Sequence, residues 1–170
     1  MKVHGVIGWH NAGKTTLIER LVAEITRRGL SVSTVKHSHH DVDPDTAGTD
    51  TRRHRMAGAS ETLLAAAGRF VLTHENRDAE PDLPFLLTRL APVDLVLVEG
   101  FKRGPQPRIE VWRAATGQPL IQPGDPLVRA VAADGPLPQA VTVPVLDLND
   151  AKAITEFILA DCVLPGGEAP

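Results

Sequence analysis

The sequence predicts an α/β fold: a mostly parallel, twisted sheet flanked by helices, with a small extra β-hairpin region. Three observations carry that expectation. A short apolar run at residues 3–7 leads into a glycine-punctuated loop and then into a segment of helical periodicity. A second apolar run, Leu95-Val96-Leu97-Val98, reads as a strand buried on both faces, as parallel strands are, with acids Asp94 and Glu99 at its ends. Between them, residues 61–67 and 69–74 read as two short strands around Gly68, as in a hairpin.

Each element follows from local pattern. After the strand at 3–7, residues 16–28 place Leu17, Ile18, Leu21, Val22 and Ile25 at helical spacing, and Gly29 stands where helices commonly terminate. Residues 31–35 alternate and are β-rich, giving a second strand and hence a βαβ unit of right-handed crossover. Residues 37–50 are polar, rich in His and Asp, and lack periodicity, which marks a functional loop. A short helix fits residues 51–57, and another fits 84–90, ending before Pro92. Strands fit 109–112, 128–132 and 141–146, the first two separated by a Pro- and Gly-rich loop at 116–126. Residues 151–159 form an amphipathic pattern with Ile154, Phe157 and Ile158 on one face, and the tail 164–170 reads as disordered.

Length and composition narrow the classes. The 170 residues suit one domain, residues 1–161, with a flexible tail at 162–170. A net charge of −3 argues against a nucleic-acid surface. The single cysteine, Cys162, excludes an internal disulfide framework and fits a reducing compartment. No apolar run approaches the ~20 residues that span a bilayer, and no secretory leader pattern is visible. The expectation is a soluble, cytoplasmic protein.

The segment Gly8-Trp9-His10-Asn11-Ala12-Gly13-Lys14-Thr15-Thr16 fits G-x-x-x-x-G-K-[ST], with a strand before it and a helix after it. Glycines let such a loop curl so that consecutive backbone N–H groups face a phosphate. Gly8, Asn11, Ala12, Gly13, Lys14, Thr15 and Thr16 are the candidate phosphate ligands. Lys14 is placed to reach the outer phosphates, and the Thr15 hydroxyl to ligate Mg²⁺. This is the strand–loop–helix of a P-loop NTPase, and it implies a nucleoside triphosphate.

Chemistry at the phosphates also needs an acid near the metal, and Glu99, at the end of a buried strand, fits that place. Lys14 and Glu99 are therefore the candidate catalytic pair, and Thr15 and Glu99 candidate metal ligands. In Lys36-His37-Ser38-His39-His40-Asp41-Val42-Asp43, three histidines and two aspartates fall within seven residues. That run suits a transition-metal site, a phosphate-side loop whose acids, Asp41 among them, approach Mg²⁺, or a merely solvated loop; its spacing fits no tetrahedral zinc pattern. Arg52, Arg53 and Arg55, and separately Lys102 and Arg103, suit an anion clamp or a solvated face equally. Asp147 and Asp150, after the last strand, are candidates for reading a guanine base, since a carboxylate accepts from N1–H and N2–H; Asn149 or Asp150 is equally a good helix N-cap.

Several segments together resemble one family, the molybdopterin-guanine dinucleotide biosynthesis adapter protein B (MobB) family. They are residues 8–17, Arg28-Gly29-Leu30 with Val32, Val35-Lys36-His37-Ser38-His39-His40, residues 45–59, residues 94–102 and Arg108-Ile109-Glu110-Val111. The Lys-His-x-His-His and Glu-Gly-Phe-Lys elements are more specific than the P-loop, and the resemblance spans about residues 3–160. It implies a GTP-binding homodimer with weak GTP hydrolysis. Such a protein assists the guanylyltransferase that attaches GMP to molybdopterin, with the pterin itself a possible ligand. It also implies the Walker B role for Glu99 and places Asp45, Asp50 and the arginine helix in the family's distinctive loop. Two departures stand out: Ala47-Gly48 where the family often has Pro-Gly, and bulky Trp9 and His10, which would partly cover the loop mouth. The strands around Gly68 and Trp112 look exposed enough to serve a dimer interface.

Two other classes share these features. A nickel metallochaperone GTPase would use the histidine loop, but one cysteine and no His-rich tail speak against it. A small-molecule kinase would need an arginine-rich lid, and Arg52 to Arg55 are few and early for that.

Overall fold

The computed structural model describes residues 1–38, 42–43, 45–77 and 79–162. His39, His40 and Asp41, and the tail expected to be disordered, lie outside the described residues. The chain divides into two compact units, Ser38–Leu87 and the remainder, whereas the composition suggests one domain.

The larger unit is a six-stranded sheet. Its strands are β1 (Lys2–Ile7), β2 (Val32–Lys36), β5 (Leu95–Glu99), β6 (Arg108–Trp112), β7 (Val128–Ala133) and β8 (Val145–Asp147), in the order β2-β5-β1-β6-β7-β8. All five pairings are parallel. Parallel strands need crossovers and are covered on both faces, which is why β5 is a continuous apolar run. Leu95, Val96, Leu97 and Val98 are fully buried. The helices of this unit are α1 (Lys14–Arg27) and α4 (Ala151–Asp161). Leu17, Leu21 and Ile25 of α1 and Ile154 and Ile158 of α4 join Val6, Leu95, Leu97, Ile109 and Ala130 in one core. On the other face, Leu120, Leu137, Val141 and Val143 from the connecting segments pack on Trp112, Val131 and Ala133.

Most expected elements form within a residue or two of their expected bounds. The last strand does not. The pattern at residues 141–146 predicts that strand, yet only Val145–Asp147 pair with β7. Pro144 has no N–H to give a ladder, and its carbonyl accepts from Val131 N at 3.0 Å. Val141 and Val143 serve as packing residues before it. Trp112 also differs from expectation: it is buried, 6% exposed, because β6 is flanked by β1 and β7 and is not an edge. The helix read at 84–90 spans only Leu83–Leu87.

The smaller unit holds α2 (Asp50–Met56), the antiparallel hairpin β3 (Glu61–Ala66) with β4 (Arg69–His74), and α3 (Leu83–Leu87). The hairpin turns at Ala67-Gly68, as the sequence predicts. Arg55, nearly buried, reaches Asp43, Asp45 at 3.2 Å and Glu75 at 2.6 Å, tying α2 to the preceding loop and to the end of β4. The hairpin exposes large apolar side chains: Leu63 at 59%, Leu64 at 54% and Phe70 at 69%.

Candidate functional site

The loop between β1 and α1 is shaped by backbone conformation. Gly8 has φ +153°, Asn11 φ +61° and Gly13 φ +92°, three positive-φ residues within six. Asn tolerates the left-handed region better than most residues, and glycine adopts it freely. At Gly8 a second constraint applies. A Cβ there would lie 2.5 Å from the Val111 carbonyl oxygen of β6, so strand and loop approach too closely for any side chain. Pairing of β1 with β6, with Ile7 opposite Glu110, causes that approach.

Helix α1 starts at Lys14 with no side-chain cap and no acid in its first turn. The first intrahelical bond from this end runs from Leu17 N to the Gly13 carbonyl at 3.0 Å. The N–H groups before it have no partner within the helix, and with the positive end of the helix dipole they make an anion site.

Lys14, Thr15 and Glu99 converge on this helix start. The Lys14 ammonium donates to the Trp9 carbonyl at 2.8 Å, closing the loop on itself. The Thr15 hydroxyl lies 3.0 and 3.2 Å from the two Glu99 carboxylate oxygens. Register explains the meeting: Val6 pairs with Glu99, so the end of β5 stands beside the start of the loop. Lys36 at the end of β2, itself opposite Glu99, reaches the carboxylate at 3.5 Å. Burial lowers the Lys14 pKa; the Glu99 charge opposes that shift, and Lys102 and Lys36 add to it. One carboxylate thus faces several cations, an arrangement suited to a polyanionic ligand.

Immediately after Glu99 the backbone turns left-handed twice, at Gly100 (φ +89°) and Phe101 (φ +47°). Phe101 carries strain there, as non-glycine residues rarely adopt that region. Its ring lies 4.6 Å from that of His37, and a Cβ on Gly100 would stand 3.0 Å from the His37 Cβ. The left-handed φ favours glycine at 100, and this close approach adds to that preference. Lys102 places its ammonium 4.7 Å from the Trp9 ring centroid, and the Trp9 indole donates to the Pro119 carbonyl at 2.7 Å. Trp9 is thus held at the loop by a cation–π contact and a hydrogen bond.

The strand-end acids differ in how far they are engaged. Asp150 is the N-cap of α4 and accepts from Ala153 N at 2.9 Å. Asp147 is exposed and accepts from Asn149 N at 2.8 Å through the same oxygen that meets the Asn149 amide. Asp50 occupies the first turn of α2, and Arg52 and Arg53 lie 3.1 and 3.4 Å from Asp43 and Asp50.

Sequence reading did not single out Arg113. Its guanidinium atoms lie 3.0–3.3 Å from the place a Cβ on Gly13 would take. The usable signal is positional: Arg113 directly follows a strand beside the P-loop strand, as Glu99 ends another.

A Mg²⁺ ion prefers oxygen ligands, keeps several waters and is often held by one carboxylate plus phosphates. The Thr15 hydroxyl and the Glu99 carboxylate fit that donor set. Among the described residues no group of three or more His, Cys, Asp or Glu side chains forms a metal site. No described helix is long and apolar enough to cross a membrane.

The family model for molybdopterin guanine dinucleotide synthesis protein B (MobB) matches residues 3–134. The molybdopterin-guanine dinucleotide biosynthesis adapter protein of Escherichia coli (strain K12) is 39% identical over 155 residues, covering 89% of this chain and 87% of that protein. That of Haemophilus influenzae is 38% identical over 160 residues, covering 91% and 85%. The crystal structure of a MobB protein homolog from Bacillus stearothermophilus superposes with a TM-score of 0.70 at 29% identity, over 95% of this chain and 98% of that one. Match length, identity and a shared fold agree that this chain belongs to the MobB family of molybdopterin guanine dinucleotide synthesis proteins.

Proposed function

We propose that the protein is a GTP-binding adapter of molybdenum-cofactor maturation, supporting the guanylyltransferase that joins GMP to molybdopterin. The observation that carries this is the loop at residues 8–16: an uncapped helix start, with Lys14 and a Thr15–Glu99 pair beside it, in a chain of this family. GTP is held by the loop N–H groups and Lys14. Mg²⁺ is held by Thr15 and Glu99; when bound, it neutralises phosphate charge. Hydrolysis is slow, since the cluster offers Glu99 to orient a water but no glutamine in that role. Of the two acids considered for guanine, Asp147 is the better candidate, because capping α4 already uses Asp150. The family's molybdopterin guanylyltransferase is the expected partner, and the complex is cytoplasmic.

The chain acts as a homodimer through the β3–β4 hairpin, whose exposed Leu63, Leu64 and Phe70 supply an apolar surface. Light scattering of Leu64→Glu and Phe70→Glu checks this: monomers are expected, and unchanged dimers overturn the assignment. The adapter role is tested by immobilising the chain and measuring capture of purified molybdopterin guanylyltransferase with GTP, with GDP and without nucleotide. Association that depends on GTP is expected. No association in any state overturns the role.

A further inference from the structure

Lys14 is not the sole cation delivered to the phosphate loop. Strand β6 runs parallel to β1 in register, and its direct continuation is Arg113. The Arg113 Nε, Nη2 and Cζ atoms lie 3.0, 3.2 and 3.3 Å from the ideal Cβ position of Gly13, the residue that caps α1 and opens the phosphate site. Its Nε is buried without a hydrogen-bond partner. Asp134 Oδ2 stands 3.9 Å away, beyond hydrogen-bonding range, while Asp134 Oδ1 accepts from Ala114 N at 3.2 Å. A buried N–H donor left in this state is costly unless a ligand or a water completes it.

Three of the arginines considered from sequence, Arg52, Arg53 and Arg55, are paired with carboxylates. Arg55 is held by Asp43, Asp45 and Glu75, and Arg52 by Asp43. Arg113 alone among these is set against the loop backbone with only one distant carboxylate. Guanidinium groups suit phosphate oxygens because their N–H donors form a planar fork. From this geometry we infer that Arg113 is a second phosphate-contacting cation of the site, working beside Lys14 on the nucleotide's phosphate chain. The inference rests on the nucleotide reading above and adds a residue to it.

Glycine at 13 then has two causes. Its φ of +92° disfavours a side chain, and a methyl group would press on the guanidinium at 3.0–3.3 Å.

The test is calorimetric titration of Mg²⁺·GTP into the full chain and its Arg113→Ala, Arg113→Gln and Asp134→Asn variants, with thermal unfolding run in parallel. Arg113→Gln keeps the side-chain stem and a polar tip while removing the charge and the guanidinium fork that lies against Gly13. Both arginine variants are expected to bind GTP roughly tenfold or more weakly, the loss typical of a charged hydrogen bond, with unfolding midpoints close to the parent's. Asp134→Asn is expected to bind as the parent does. Parent-like GTP affinity in Arg113→Gln overturns the inference. So does an equal loss in Asp134→Asn, which would make Arg113 a structural partner of that carboxylate. A parent chain that binds no GTP overturns the nucleotide reading itself, a result distinct from either of these.

Discussion

Gly8→Ala probes the geometry on which the phosphate site depends. The added Cβ would sit 2.5 Å from the Val111 carbonyl oxygen, and φ is +153°. The clashing oxygen is backbone, so it cannot rotate away as a side chain would. Backbone strain of this kind costs about 1–3 kcal/mol, and forcing an extra carbon into a packed region costs about 1–3 kcal/mol more. The expected loss is therefore roughly 2–6 kcal/mol. Gly29→Ala is the matched control. Gly29 has φ +80° at the end of α1, but a Cβ there meets nothing within 4 Å. Its cost is left-handed strain alone, about 1–2 kcal/mol. Urea unfolding of the two variants isolates the steric term as their difference, and thermal midpoints should separate by several degrees at roughly 2–4 °C per kcal/mol. GTP affinity should fall in Gly8→Ala, because the loop must shift to relieve the clash, and should hold in Gly29→Ala. Equal destabilisation of the two would refute the claim that the approach of β6 to the loop dictates glycine at position 8.

Further substitutions address other parts of the account. Glu99→Gln removes the charge that faces Thr15 and Lys36; it should still bind GTP, with weaker Mg²⁺ dependence and most hydrolysis lost, and parent-like turnover would remove Glu99 from the chemistry. Asp150→Ala should cost about 1 kcal/mol through the lost N-cap of α4 and leave the preference for GTP over ATP unchanged, whereas Asp147→Ala should reduce that preference; competition binding of the two nucleotides checks both. His4 is fully buried with its pKa lowered by burial, the nearby Asp161 charge opposing that shift. The unfolded chain therefore binds the extra proton first, so His4 contributes a loss of stability as pH falls below about 6.5. Glu110, whose pKa burial raises, contributes with the opposite sign at lower pH. Stability measured from pH 7.5 to 5 should slope less in His4→Gln than in the parent, and equal slopes would exclude His4 as the cause.

Much of the fold was legible because buried parallel strands leave a simple mark. The run Leu95 to Val98 and the Leu17, Leu21 and Ile25 spacing each state their burial outright. The loop at 8–16 was legible because positive φ needs Gly or Asn, and Gly8, Asn11 and Gly13 supply them. What escaped depends on neighbours distant in sequence. Trp112 looks like an exposed strand residue until β7 is seen to cover β6, and 141–144 look β-rich although Pro144 denies them the ladder. The nearness of Arg113 to Gly13 arises from pairing between strands about a hundred residues apart, so no local pattern announces it. Asp150 shows the converse limit: its sequence position suits a base-reading acid and a helix cap alike, and the bond to Ala153 N shows the cap.

The central claim is that the loop from Gly8 to Thr16 holds a guanine nucleotide by its phosphates. Isothermal titration of Mg²⁺·GTP into the parent chain and Lys14→Ala tests it most directly. The Lys14 ammonium donates to the Trp9 carbonyl and otherwise feels mainly the Glu99 charge, so its loss should leave the unfolding midpoint nearly unchanged. The expected result is saturable binding to the parent, weakened roughly tenfold to a hundredfold in the variant. Equal affinity in the two, or no binding to the parent, would contradict the claim.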